Sequence, residues 1–216
     1  MKKVYITGCA RSGTTLLARM FHAFNDTYVI NEEVGLNDFI QYCYEERDLH
    51  SVIVGKRTEY SIFSNILSQD KIEESLNCLV GADIIVINCI RDGRYLIDSW
   101  VKAWRMYNPF AWLSAIKQSI EYDNYINLTV KYEDLVNNPN LIQEKITSLL
   151  NIEKDFNFSE YPEFVPNESF STEDDNYILR DITPIGEEEV PPLTYTNSPN
   201  DVELFDKYLI HLGYEK

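Results

Sequence analysis

The chain has 216 residues, 44 % hydrophobic and 25 % charged. That mix suits an ordinary globule with a sizeable core and excludes global disorder, a collagen-like repeat and a small disulfide scaffold. With 35 acidic against 19 basic residues the formal net charge is −16, which argues against a non-specific nucleic-acid binder, because phosphate binding needs clustered positive charge. The acid is uneven: residues 153–189 hold 12 acidic and 2 basic side chains, whereas residues 1–152 hold 19 and 15, so a local anion site in the first segment stays open.

In chain order, Val4–Thr7 is a short β-type run that ends at Gly8, and Gly13–Phe24 carries apolar residues at helical spacing. Tyr28–Ile30 predicts a second strand, Leu36–Glu46 a helix, Ser51–Val54 a strand and Ile62–Leu79 one or two helices. Asp83–Ile90 contains the run Ile84-Ile85-Val86-Ile87, long enough for a strand buried on both faces. Arg94–Met106 and Pro109–Tyr122 read as helices, Ile126–Val130 as a strand, and Pro139–Leu150 as a helix with proline in its first turn. This alternation predicts an α/β fold, a P-loop-type parallel β-sheet flanked by helices and joined by right-handed crossovers.

Residues 155–200 break the pattern with Pro162, Pro166, Pro184, Pro191, Pro192, Pro199 and the acid run Glu187-Glu188-Glu189. The expected organisation is one domain over 1–216: a core at 1–152, an irregular acidic arm at 153–200 and a closing helix at 201–212. Cys9, Cys43, Cys78 and Cys89 form no C-x-x-C pair, and His22, His50 and His211 form no metal pattern. The expectation is reduced thiols in a cytoplasmic protein. Met1-Lys2-Lys3 is followed by only three apolar residues before Thr7, too few for a signal peptide, and no run of about 18 apolar residues predicts a membrane span.

Two stretches carry chemistry. In Val4-Tyr5-Ile6-Thr7-Gly8-Cys9-Ala10-Arg11-Ser12-Gly13-Thr14-Thr15, a strand, a small-residue loop and a helix start follow one another. Glycines let such a backbone turn tightly, and its N–H groups then converge on one concavity suited to phosphate. Gly8-x-x-x-x-Gly13 has P-loop spacing, but Thr14 stands where a nucleotide triphosphatase has lysine, and the cation sits inside the loop as Arg11. A cation there, with two threonine hydroxyls, serves an anion placed differently from a β,γ-phosphate pair and requires no Mg²⁺. The bland alternative is a tight βα turn with capping threonines. In the second stretch, Cys89-Ile90-Arg91-Asp92-Gly93-Arg94-Tyr95-Leu96-Ile97-Asp98-Ser99-Trp100, Arg91 falls at the carboxyl end of the buried strand, where ligands bind in open α/β sheets. Ser99 lies about two helical turns further on, so the two could hold one phosphate. The alternative is a surface arginine paired with Asp92 or Asp98.

These stretches resemble the sulfotransferases that use 3′-phosphoadenosine 5′-phosphosulfate (PAPS), in their Golgi-type and bacterial branch. Ala10-Arg11-Ser12-Gly13-Thr14-Thr15 is similar to the family's P-[KR]-S-G-T-T 5′-phosphosulfate loop, with Ala10 in place of proline. Arg91 and Ser99 take the positions of the family's 3′-phosphate ligands in R-D-P-R-D-x-x-x-S-W, with Gly93 in place of proline. Lys131-Tyr132-Glu133-Asp134-Leu135 looks like its Y-E-D-L segment, with Tyr132 and Leu135 read as structural, and Val54-Gly55-Lys56 like its K-[TD]-P segment. The resemblance covers about residues 3–152; beyond it only Leu179-Arg180-Asp181 is vaguely similar to a segment that closes over the cofactor.

The resemblance implies transfer of a sulfuryl group from PAPS to a hydroxyl or amine by in-line displacement, leaving 3′,5′-ADP and requiring no metal. Ser12, Gly13, Thr14 and Thr15 would bind the 5′-phosphate with Arg11, and Arg91 and Ser99 the 3′-phosphate. Arg11 and Lys56 would meet charge on the bridging oxygen; for Lys56 the alternative is a solvated surface residue. The base would be a glutamate in Asn31-Glu32-Glu33-Val34-Gly35, which looks like the G-E-E-T segment of tyrosylprotein sulfotransferases. Alignment from the loop needs one extra residue and puts the base on Glu33, with Glu32 as the alternate. Neighbouring strand residues point opposite ways, so one of the two faces the site. His22 and His50 are the weaker candidates. The acceptor could be a small molecule, a carbohydrate or a peptide. Competing readings are a P-loop small-molecule kinase and a non-catalytic nucleotide-binding protein of the same fold.

Overall fold

The computed structural model describes residues 1–57, 76–105, 108–161, 163–165 and 199–214. Among them β1 (Lys2–Gly8) lies at the centre of a parallel sheet, between β3 (Val52–Arg57) and β4 (Ile84–Ile90). β2 (Thr27–Glu33) flanks β3 and β5 (Leu128–Lys131) flanks β4, giving the order β2-β3-β1-β4-β5. The helices are α1 (Thr14–Met20), α2 (Leu36–Glu45), α3 (described over 76–81), α4 (Gly93–Trp104), α5 (Pro109–Glu121), α6 (Tyr132–Asn137), α7 (Pro139–Leu150) and α8 (Pro199–His211).

The pleat explains the layers. Val4 and Ile6 of β1 join Val52 and Val54 of β3 on one face, packed on Leu17 and Met20 of α1 and Ile142, Ile146 and Leu150 of α7. Tyr5, Ile53 and Val86 point the other way onto Phe39 and Cys43 of α2 and Leu76 and Leu79 of α3. A third cluster caps the carboxyl end of β4: Ile90, Leu96, Trp100 and Trp112, with Phe205 and Leu209 of α8. Both faces are covered, as a parallel sheet requires. Trp112 and Phe205 stack with ring centroids 4.3 Å apart and are fully buried; truncating either to alanine costs about 3–5 kcal/mol.

Several boundaries differ from the pattern. The helix expected over Gly13–Phe24 ends at Met20 and tightens into a 3-10 turn, Phe21–Ala23, whose carbonyl at Phe21 accepts from the Phe24 N–H. Asp26 then takes a left-handed conformation, φ 51°, with its carboxylate accepting from the Ser51 N–H; short Asp side chains tolerate that turn. β3 runs on through Gly55, Lys56 and Arg57 because β1 pairs with it as far as Thr7↔Arg57. Residues 154–161 and 163–165, expected in the arm, pack on the core: Lys154 bridges Phe24, and Phe158, Tyr161 and Val165 are buried beside α7. Most of the Ile62–Leu79 helix prediction, Met106, Leu179-Arg180-Asp181 and Glu187-Glu188-Glu189 lie outside the described residues. No described helix is long and apolar enough to cross a membrane.

Candidate active site

The chain runs from β1 out to β2 and β3 on one side, then returns to β4 and β5 on the other. The carboxyl ends of β1 and β4 therefore border the switch-point crevice of this sheet. From Gly8 the loop turns back at once, with the Ser12 N–H bonded to the Cys9 carbonyl at 3.0 Å. Arg11 (φ 70°) and Gly13 (φ 92°) are both left-handed, a backbone that aims successive N–H groups into one anion-binding nest. A β-carbon on Gly13 would lie 2.6 Å from Cδ2 of Tyr132, so only glycine fits there.

The second cationic turn reaches this loop directly. Arg91, at the end of β4, donates through Nη1 to the Arg11 carbonyl at 3.1 Å, and its guanidinium lies 4.2 Å over the Tyr132 ring. Arg11 in turn donates through Nε to the Ser99 hydroxyl at 3.2 Å. Sequence reasoning left Arg91 open to pairing with Asp92 or Asp98. Asp92 instead forks onto Arg94 at 2.6 Å, and Asp98 pairs with Lys102 at 2.7 Å. Among the described residues no carboxylate forms an ion pair with Arg91. Its pKa lies below the ordinary arginine value: burial is the main cause and the Arg11 charge adds to it, against smaller opposing effects of Tyr132 and Glu133. Arg91 Nε and Ser12 Oγ are buried with no hydrogen-bond partner.

Two tryptophans hold the turns, a role the sequence reading missed. The Trp100 indole donates to the Ala10 carbonyl at 3.1 Å, and the Trp112 indole to the Arg91 carbonyl at 3.0 Å. The available signal was that a buried indole N–H needs an acceptor. Tyr132, read as structural, floors both Gly13 and Arg91. The backbone at Gly93 is overlaid by two rings: an added β-carbon would meet Phe205 at 2.4 Å and Trp112 at 2.7 Å.

Lys56 is 6 % exposed, so it is no solvated surface residue. Counting along β3, it shares a face with Val52 and Val54, the face on which α1 packs. Glu33, the last residue of β2, is exposed and registers opposite Lys56. The β2–β3 pairing shifts register between Val29 and Glu33. The Glu32 side chain lies outside the described residues. Thr14 is buried and Thr15 half-buried at the start of α1. The histidines are elsewhere. His50 precedes β3 and pairs with Asp26 at 3.5 Å and Glu46 at 3.9 Å, about 20 Å from the carboxyl rim by strand rise. His22 follows the far end of α1, and burial, aided by the Arg19 charge, holds its pKa below the ordinary 6.5. The Cys9 thiol beside the loop is pushed up to about 12 by burial, which keeps it from acting as a nucleophile.

No family model and no curated protein matches the chain. Solved structures do. A sulfotransferase domain from the Synechococcus PCC 7002 olefin synthase is 16 % identical, covers 100 % of this chain and 96 % of its own, and superposes with a TM-score of 0.67. A sulfotransferase domain from the curacin biosynthetic pathway is 16 % identical over 99 % of this chain and 98 % of its own, TM-score 0.68. Mouse sulfotransferase SULT7A1, solved with PAP, is 14 % identical over 97 % of this chain and 84 % of its own, TM-score 0.54. Sheet order, crevice and superposition agree that this chain has the sulfotransferase fold.

Proposed function

We propose that the chain is a PAPS-dependent sulfotransferase, transferring a sulfuryl group to a hydroxyl or amine of a small-molecule, carbohydrate or peptide acceptor. One observation carries the reading: the Arg91 guanidinium bonds the Arg11 carbonyl while the Arg11 guanidinium bonds Ser99, so two anion-binding turns form one rim. A bisphosphorylated adenosine needs two such pockets side by side. The residues fit that donor, since Arg91 Nε and Ser12 Oγ are buried donors awaiting an acceptor.

When bound, the donor supplies an activated sulfur whose bond to the 5′-phosphate oxygen breaks. The Arg11–Gly13 nest, with Ser12, Thr14 and Thr15, grips the 5′-phosphate, and Arg91 and Ser99 grip the 3′-phosphate. Arg11 and Lys56 stabilise the charge that gathers on the bridging oxygen. Glu33 takes the acceptor proton as the new S–O or S–N bond forms. All four cysteines are free thiols, which supports a reducing, cytoplasmic setting.

Thermal shift tests the reading. Stabilisation by 3′,5′-ADP without metal is expected. Stabilisation only by ATP with Mg²⁺ would replace it with the kinase reading, and stabilisation by neither with a fold retained for another purpose.

A further inference from the structure

The turn that carries Arg91 is held from below by a carboxylate that the mechanism does not use. Glu133, at the start of α6, accepts the Asp92 N–H on Oε1 at 3.0 Å and the Tyr214 hydroxyl on Oε2 at 2.9 Å. Asp92, 3 % exposed, in turn caps the Arg94 N–H at 2.9 Å and fixes the start of α4. Each oxygen of Glu133 thus holds a different part of the chain.

Tyr214 reaches Glu133 because of how α8 ends. Gly213 is left-handed, φ 75°; its N–H bonds the Ile210 carbonyl at 2.9 Å, and the Tyr214 N–H bonds the Leu209 carbonyl at 2.9 Å. That pair of bonds is a Schellman motif, which reverses the chain after a helix. It throws Tyr214 back onto the sheet rim, where the Lys131 ammonium lies 4.7 Å over its ring. Burial, reinforced by the Glu133 charge, raises the Tyr214 pKa, so the phenol stays protonated and donates.

We propose that Glu133 is a positioning residue for the 3′-phosphate pocket, latched by the Tyr214 hydroxyl, and that it sets the β4–α4 turn, which carries Arg91 and starts the helix that carries Ser99. This inference rests on the sulfotransferase reading. Trp100, on the same helix α4, ties the loop side of the site at the Ala10 carbonyl. The latch therefore acts most directly on the 3′-phosphate pocket and reaches the 5′-phosphate loop only through α4 and the Arg91–Arg11 bond.

The test compares 3′,5′-ADP with 5′-AMP, which lacks the 3′-phosphate, by calorimetric titration of the full chain. Glu133→Ala is expected to weaken 3′,5′-ADP about tenfold and Tyr214→Phe about threefold, each the loss of one or two net hydrogen bonds. Binding of 5′-AMP falls by a smaller factor in both, and Glu133→Gln, which can still accept the Asp92 N–H, recovers most of the loss. Equal weakening of both ligands, or no weakening of either, overturns the latch while the sulfotransferase reading stands. If Glu133→Ala does not fold, Tyr214→Phe decides alone. Wild-type protein that binds 3′,5′-ADP no more tightly than 5′-AMP overturns the reading and the latch together.

Discussion

Arg91 is a half-buried cation whose neighbouring carboxylates are engaged elsewhere, Asp92 by Arg94 and Glu133 by Asp92 and Tyr214. Desolvating a charge is costly unless an opposite charge arrives, so the site is poised for an anion. Arg11 does two things at once, linking Ser99 through its guanidinium and Arg91 through its carbonyl. Arg11→Ala keeps the carbonyl and removes the charge; turnover with labelled donor should fall by at least about 100-fold, and full activity would remove Arg11 from the mechanism. Glu33 registers opposite Lys56 across the β2–β3 pairing, which sets the proposed base beside a cation. Glu33→Gln should lower kcat by about 100-fold or more with 3′,5′-ADP affinity intact; loss of activity in Glu32→Gln instead would move the base by one residue. Of these positions, the motif residues Arg11, Arg91 and Ser99 were legible in sequence because chemistry fixes their types. Tyr132, Glu133 and Trp112 were not, since their roles depend on contacts made across the fold.

At the scale of elements, the two site turns are backed by helices that arrive from distant parts of the chain. α5 sends the Trp112 indole to the Arg91 carbonyl, and α8 lays Phe205 on Trp112 and over Gly93. Sequence periodicity found the strands and most helices, since alternation and 3.6-residue spacing are local. It did not find that α8 closes the site, because no local pattern records which surface a terminal helix covers. Nor did it find the length of β3: Gly55-Lys56-Arg57 has weak strand character by itself and is extended by pairing with β1. Gly93→Ala tests the overlay. Its β-carbon would meet the ring tip of Phe205 and the fused bond of the Trp112 indole, so denaturant unfolding should show a loss of about 1–3 kcal/mol. Adding Phe205→Leu should cost less in that background than in wild type, because the two sites share one space; additive losses would mean that the clash is relieved elsewhere.

At the scale of the whole molecule, the net charge of −16 surrounds a rim built from Arg11, Lys56 and Arg91. The composition argued against a non-specific nucleic-acid binder but left the nearly balanced first 152 residues free to hold a confined cationic pocket, and Arg11 and Arg91 meet at the carboxyl ends of the neighbouring strands β1 and β4. Ligand binding should therefore report on global stability. A 3′,5′-ADP concentration about 100-fold above Kd should raise the unfolding free energy by about 2.7 kcal/mol, or Tm by roughly 5–10 °C for a chain of this size; a Tm that does not respond would exclude the two-pocket site. The indoles of Trp100 and Trp112 give that site an optical property. Each is tied to the backbone of a different turn of the candidate site, so intrinsic fluorescence carries a separate emitter behind each proposed phosphate pocket, and variants that replace Trp104 together with one of the two leave a single indole to time each end.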